Sequence, residues 1–158
     1  LKGLSPKENR EVPPLDYALV AELKAERPHL SITLNGGITT IEECRRHLTV
    51  FDGVMLGRAA YQNPSLLGEV DAELGGQGVR RVSPHDAILA YRPYMAERLE
   101  AGTGLHAMTR HMLGLFNGQP GARAWRRILS ERAPKPGAGL DVLDAAVEAI
   151  TSQVASVD

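Results

Sequence analysis

The chain has 158 residues and a formal net charge of −1, so no overall basic field points to nucleic acid. Its single cysteine excludes an internal disulfide framework, and His106 and His111 lack the spacing of a metal-binding motif, so we assign no metal. No apolar run approaches the roughly twenty residues of a membrane-spanning helix, and no signal segment opens the chain, so we expect a cytoplasmic protein.

The first fourteen residues are polar and rich in proline, which indicates a surface loop. Asp16 is then a suitable N-cap for a helix at Tyr17–Glu26. Residues 31–64 follow with the pattern strand, glycine turn, helix, strand, glycine turn. We predict buried strands at Ser31–Leu34 and Asp52–Leu56. A helix at about Ile41–Thr49 joins them into a βαβ unit, in which the two strands run parallel.

The start of this connecting helix has a double capping signal. Thr39 and Thr40 each precede a glutamate by three residues, Glu42 and Glu43, which is the spacing of a capping box. Cys44 lies inside the helix, and we interpret it as a small buried or half-buried filler rather than a nucleophile.

Glycines follow both predicted strands, at the ends where parallel α/β folds bind ligands. Asn35, Gly36 and Gly37 follow the first strand, and Gly57 and Arg58 follow the second. Glycines let a ligand approach backbone N–H groups closely, and the fork of an arginine suits phosphate oxygens. Either turn alone would be read as an ordinary loop, but together they predict a phosphate site shared by the two strand ends.

The rest of the chain has a helical pattern, interrupted at residues 75–78 by a glycine-rich stretch that predicts a boundary between domains at 1–74 and 75–158. Pro93 should kink or break the helix in which it lies. The predicted helices are Leu66–Leu74, Pro84 to about Ala101, Leu105–Phe116, Ala122–Arg132 and Leu140–Val157.

Basic side chains are concentrated in residues 101–133, which hold five arginines and a single acid. On the helix predicted at 122–132, Arg123, Arg126 and Arg127 cluster on the side opposite Trp125. An arginine face with few acids is either solvated surface or the footprint of a protein that binds phosphate backbones.

The chain resembles the tRNA-dihydrouridine synthase family, and most closely its DusA-type subfamily, in four ordered stretches. They are LKGLSPKENREVPPLDY (1–17), LNGGITT (34–40), DGVMLGRAAYQNP (52–64) and AGTGLHAMTRHMLGLFNGQPGARAWRR (101–127). The resemblance covers most of the chain and weakens after about Ala133. It implies an α/β fold, in which the C-terminal part of a TIM (β/α)8 barrel, with its last two strands, precedes an all-α helical tRNA-binding domain.

The resemblance also implies an FMN-dependent oxidoreductase that reduces uridine to 5,6-dihydrouridine in the D-loop of tRNA, with NADPH as the reductant. Asn35, Gly36, Gly37, Gly57 and Arg58 match the family positions that hold the FMN phosphate. This agrees with the phosphate site that the two glycine turns predict.

Four basic residues match tRNA-binding positions of the family. Lys7 and Arg10 match positions in a tRNA-contacting loop, and Arg123 and Arg126 match arginines that orient the tRNA. Nothing in the sequence indicates an oligomer.

The proton donor of the family is a cysteine in the first half of the barrel, and Cys44 does not match it. The resemblance therefore implies no catalytic residue in this chain, which we interpret as the C-terminal part of a longer protein. We expect the chain alone to be inactive, and turnover in a uracil-reduction assay with FMN and NADPH would contradict this. Two alternatives stay open: a non-catalytic tRNA-binding fragment, and another FMN- or phosphate-binding barrel oxidoreductase in which Arg123 and Arg126 are only a solvated face.

Overall fold

The computed structural model describes residues 15–75 and 78–154 of the chain. It has two compact units, which divide between Gly57 and Arg58. The mixed α/β fold class is confirmed, whereas the domain boundary after residue 74 stays a prediction. No helix within the described ranges is long and apolar enough to cross a membrane.

The first unit contains a parallel βαβ arrangement, as predicted. Its two strands pair in parallel, with Asn35 opposite Met55. Each strand has three residues, which is shorter than the prediction. Its described elements are α1 (Tyr17–Glu26), β1 (Thr33–Asn35), α2 (Ile41–Leu48) and β2 (Gly53–Met55).

The prediction that both strands are buried is wrong except at Leu34. Thr33 and Asn35 are exposed, and the side chain of Met55 is 46% exposed. Two short strands in the described part of the chain give too little sheet surface for helices to cover on both faces.

The capping box between Thr40 and Glu43 is confirmed. Thr40 Oγ1 accepts from Glu43 N at 3.1 Å, and Glu43 Oε2 accepts from Thr40 N at 3.1 Å. The box predicted between Thr39 and Glu42 is wrong, because the Thr39 amide donates to Glu43 Oε2 at 2.7 Å instead. These hydrogen bonds lower the pKa of the Glu43 carboxyl, that from the Thr39 amide most. Cys44 is buried as predicted, and its burial raises the pKa of the thiol.

Helix α1 has no buried residue and is held to its unit by polar contacts. Its N-cap is Asp16, as predicted, whose carboxylate accepts from Leu19 N at 3.0 Å. Lys24 Nζ donates to Asp52 Oδ2 at 2.7 Å, and the same oxygen accepts from Ile32 N at 2.8 Å. One carboxylate therefore ties α1 to the stretches of chain that lead into both strands.

The described elements of the second unit are helices. The prediction of a helix at 122–132 is confirmed at both ends. Pro93 lies inside a continuous helix, so a break there is wrong, whereas the alternative prediction of a kink stays a prediction. The carbonyl that loses its partner at Pro93 belongs to Leu89, whose side chain is 67% exposed, so solvent can replace the lost hydrogen bond. The elements are α3 (Arg58–Gln62), a 3-10 helix (Pro64–Leu66), α4 (Leu67–Leu74), α5 (Pro84–Glu100), α6 (Leu105–Thr109), α7 (Ala122–Arg132) and α8 (Leu140–Val154).

The prediction of one helix at 105–116 is wrong, because α6 ends at Thr109 and a series of turns follows. Two tertiary contacts explain the difference. A Cβ on Gly114 would lie 2.1 Å from the carbonyl oxygen of Gln62, so the turn passes directly against α3. The indole N–H of Trp125 donates to the carbonyl of Met112 at 3.1 Å, which occupies an acceptor that a continuing helix would use.

The core of the second unit is built around Trp125, which is fully buried on α7. Its ring meets that of Phe116 edge to face, with centroids 4.9 Å apart. Leu129 on the same helix is also fully buried. Burial of this side of α7 leaves the opposite side, with its arginines, in solvent. Other fully buried members of the core are Met95, Leu143, Ala146 and Ile150.

Asp52→Asn should change how stability depends on pH. The hydrogen bond from Lys24, followed by that from Ile32 N, lowers the pKa of the Asp52 carboxyl below its ordinary 3.8. A group with a lowered folded-state pKa stabilises the protein above its unfolded-state pKa, and this stability is lost as the pH falls through the folded-state value. We expect the Asn variant to melt below the wild type at pH 7, and the difference to shrink below about pH 4.

Circular dichroism melts from pH 3 to pH 7 measure this, with Glu22→Gln on the exposed side of α1 as the control. A constant difference between Asp52→Asn and wild type across the whole range would contradict the assignment.

Candidate functional site

The parallel pairing of β1 and β2 places the carboxyl ends of both strands at one edge of the sheet. Asn35, the last residue of β1, lies opposite Met55, the last residue of β2. Gly36 and Gly37 continue from β1, and Gly57 lies two residues beyond β2. Four of the five residues predicted for phosphate binding therefore lie at or just beyond adjacent strand ends: Asn35 ends β1, and the three glycines follow the strands.

The turn after β1 requires glycine for reasons internal to the fold. Gly36 has φ of +127° and Gly37 has φ of +64°, which are conformations that other residues adopt at a cost. A Cβ would lie 2.8 Å from a methyl group of Leu15 at Gly36, and 2.9 Å from one at Gly37. The backbone conformation therefore favours glycine at both positions, and a larger side chain at either would also displace Leu15.

A hydrogen bond fixes the orientation of the peptide between these glycines. The Tyr17 hydroxyl donates to the Gly36 carbonyl oxygen at 2.6 Å. In a trans peptide the carbonyl and the following N–H point in opposite directions, so the Gly37 N–H points away from Tyr17. A backbone N–H held in a fixed direction at a strand end is the kind of donor that binds phosphate oxygens, so the turn fits such a group.

Gly57 differs from the other two glycines, because neither its backbone conformation nor the described residues around it require a glycine. Its φ is not positive, and a Cβ added there would have Met55 Sδ as its nearest atom, at 3.4 Å, which is an ordinary contact. A glycine at such a position leaves room for a ligand to approach the backbone.

The other predicted site residues lie elsewhere in the chain. Arg58 is the first residue of α3 and of the second unit, and its side chain is exposed. Its place beside the glycines follows from the sequence prediction only. Lys7 and Arg10 lie outside the described residues.

The second unit has a basic concave surface at the start of α7, with a volume of about 600 Å³. Arg123, Arg126 and Arg127 line it and are exposed, as the helical wheel predicts. In the described part of the chain, no carboxylate lies within ion-pair distance of these three arginines. Residues 117–119 form the other wall, and Asn117 Oδ1 lies 3.5 Å from Arg126 Nη1. We call this surface the basic groove.

Sequence reasoning missed Leu15 and Tyr17 as parts of the glycine turn. They lie about twenty positions upstream, and neither the spacing nor the residue type signals the contact. The described ranges contain no group of three or more His, Cys, Asp or Glu residues that could hold a metal ion.

Comparison with known proteins finds one family and close relatives. The family model described as dihydrouridine synthase (Dus) matches residues 2–154. Proteins named tRNA-dihydrouridine(20/20a) synthase are similar to the chain in Escherichia coli K12 (52% identity, 97% of this chain, 44% of the relative) and Vibrio cholerae (52%, 97%, 47%). The relative in Shewanella oneidensis has the same name (51% identity, 98% of this chain, 46% of the relative). The chain thus spans less than half the length of these relatives.

Alanine at Gly37 and alanine at Gly57 should have different effects on stability. Gly37→Ala places a side chain at positive φ against Leu15 and Tyr17, and should lower the free energy of unfolding by about 1–3 kcal/mol. Gly57→Ala meets only ordinary contacts and should change it by less than about 0.5 kcal/mol. Urea denaturation measures both, and equal losses in the two variants would contradict the distinction.

Proposed function

Because the chain belongs to the dihydrouridine synthase family, we propose that it is the part of an FMN-dependent oxidoreductase that grips the flavin phosphate and the tRNA. The proposed reaction reduces uridine to 5,6-dihydrouridine in the D-loop of tRNA, with NADPH as the reductant. The shared name of the relatives, tRNA-dihydrouridine(20/20a) synthase, supports tRNA as the substrate. On this proposal the chain forms the last two strands of a TIM barrel and an all-α helical tRNA-binding domain.

The parallel pairing of β1 and β2 is the observation that carries the proposal. It brings two turns that are about twenty residues apart in the sequence to one edge of a sheet. In barrels of parallel strands, the loops after the last two strands frequently form a phosphate site. The match between this rule and the Asn35–Gly37 turn with Gly57 supports a phosphorylated cofactor.

Three residues of the proposed phosphate site have distinct roles. The Gly37 N–H, held in direction by Tyr17, donates to a phosphate oxygen. Gly57 leaves room for the phosphate at the second strand end, and Arg58 adds a cation that offsets its charge. FMN, when bound, supplies the hydride for reduction of the uracil ring.

Proton transfer to the uracil is not assigned to any residue of this chain. Its single cysteine, Cys44, is fully buried within α2 and cannot touch an RNA base. Burial also raises the pKa of the thiol, as in a structural cysteine. We therefore propose that the chain contributes binding groups only.

The basic groove is the proposed tRNA-binding surface. Exposed arginines with no carboxylate partner among the described residues remain available to phosphates, and Trp125 holds the helix that carries them. This groove, together with the burial of Cys44, favours a second candidate, a non-catalytic tRNA-binding protein. Flavin binding distinguishes the two.

Replacing Gly57 by leucine should weaken FMN binding by about tenfold or more, because a side chain there occupies the space of the phosphate. Flavin fluorescence titrations of the 158-residue chain measure this, with riboflavin as the ligand that lacks the phosphate. Gly104→Leu is the matched control, since Gly104 also has negative φ and a Cβ there would have no atom of a described residue within 4 Å. Equal affinity of the wild type for FMN and riboflavin would contradict the phosphate site.

Replacing both Arg123 and Arg126 by alanine should weaken tRNA binding. It should also reduce the magnitude of the negative slope of log affinity against log salt by about two. Filter binding of an unmodified tRNA transcript at 50–200 mM salt measures both quantities. The control is Arg80→Ala with Arg98→Ala, which removes two exposed arginines outside α7. An unchanged slope would instead favour an oxidoreductase that acts on a small molecule.

A further inference from the structure

The side chains of Tyr61, Arg110 and His111 form a hydrogen-bonded network at the surface of the second unit. Arg110 Nε donates to His111 Nε2 at 2.9 Å, and His111 Nδ1 lies 3.1 Å from the Tyr61 hydroxyl. All three residues are exposed. We propose that they form a site for one unpaired RNA nucleotide, with its base on the Tyr61 ring and its phosphate on Arg110. The inference rests on the proposed function and deepens it.

The direction of the hydrogen bonds follows from Arg110. Its Nε–H can only donate, so His111 Nε2 must be the unprotonated ring nitrogen. The neutral imidazole then carries its proton on Nδ1, which donates to the oxygen of Tyr61. Within residues 15–75 and 78–154 the Tyr61 hydroxyl has no other hydrogen-bond partner, so its proton can go to a phosphate oxygen or a ribose 2′-hydroxyl of the RNA.

The tyrosine ring is presented to solvent in a fixed position. Tyr61 is 61% exposed, and His111 contacts its ring at 72° with centroids 5.8 Å apart. Gly114 lies directly against the carbonyl of Gln62. This contact holds the turns after His111 against the helix that carries Tyr61. An exposed aromatic ring held in this way offers a face on which an unpaired base can stack.

Arg110 supplies the charge that such a nucleotide needs. Its Nε is engaged by His111, whereas no carboxylate in residues 15–75 or 78–154 lies within ion-pair distance of its guanidinium. The two terminal nitrogens can therefore bind a phosphate oxygen pair. A cation beside a stacking ring, with no acid, suits RNA better than a protein partner.

His111 acts as a positioning residue for the other two. It fixes Arg110 through one ring nitrogen and Tyr61 through the other, so both are oriented before the RNA binds. Protonation of Nε2 would turn it into a donor that faces the donor Nε of Arg110, which would break the first contact.

The test measures binding of an unmodified tRNA transcript and of a blunt RNA duplex to the 158-residue chain and its variants. Tyr61→Ala should weaken tRNA binding about tenfold, and Tyr61→Phe about threefold, because phenylalanine keeps the ring and loses only the hydroxyl. Arg110→Gln should reduce the magnitude of the slope of log tRNA affinity against log salt by about one. Binding of the duplex, which has no unpaired base, should not change with Tyr61→Ala.

Tyr94→Ala is the matched control, because Tyr94 is an exposed tyrosine of the same unit that stacks on Tyr91. Thermal melts establish that each variant folds. The 15N shifts of the His111 ring should show the proton on Nδ1 in the wild type, and this preference should weaken in Arg110→Gln.

The possible outcomes separate this inference from the proposed function. If the wild type binds tRNA and the Arg123 and Arg126 variant weakens it, but Tyr61→Ala and Arg110→Gln do not, the nucleotide site is refuted and the proposed function stands. A proton on His111 Nε2 would also refute the site as described. Failure of the wild type to bind tRNA would refute both.

Discussion

The parallel pairing of β1 with β2 is the constraint on which the first unit and its proposed site depend. Only three residues of each strand take part, yet the register sets Asn35 opposite Met55 and so brings two glycine turns to one edge. The helix between the strands makes this crossover possible, and its start is fixed by the Thr40–Glu43 capping box. Asp52 adds a tie at the other end of β2, since it binds α1 through Lys24 and the chain before β1 through Ile32. Capping and polar ties therefore add to the few buried side chains in the described part of this unit, which are Leu34, Ile38, Ile41, Cys44 and Phe51.

In the second unit, the buried side chain of Trp125 is the constraint on which the candidate site depends. Trp125 packs on Phe116 and donates to the carbonyl of Met112, so it fixes both the rotation of α7 and the path of the turns before it. Fixing the rotation of the helix places its arginines in the basic groove. The chain as a whole has a net charge of −1, but this placement concentrates positive charge on one surface. Affinity for a polyanion depends on such local clustering and not on the total charge.

The sequence predicts the ends of an element correctly where local signals set them. It fails where contacts with residues distant in the sequence set them. Asp16 marks the start of α1, and the prediction of Tyr17–Glu26 is confirmed at both ends. The helix predicted at 105–116 fails because Gln62 and Trp125 act on it from other parts of the chain, and no periodicity carries that information. The same limit holds for the candidate site. The glycines stand out in the sequence, whereas the packing of Leu15 and Tyr17 on them does not.

The three glycines at the strand ends are not equally informative about ligand binding. Gly36 and Gly37 have positive φ and lie against Leu15, so the fold alone accounts for them whether or not a phosphate binds. Gly57 has neither constraint, and a fold without a ligand would tolerate alanine there at little cost. A glycine motif is therefore informative about binding only at positions where the backbone conformation and the neighbouring side chains do not already demand glycine. In this chain, Gly57 is therefore the glycine that most directly indicates a ligand at the edge of the sheet.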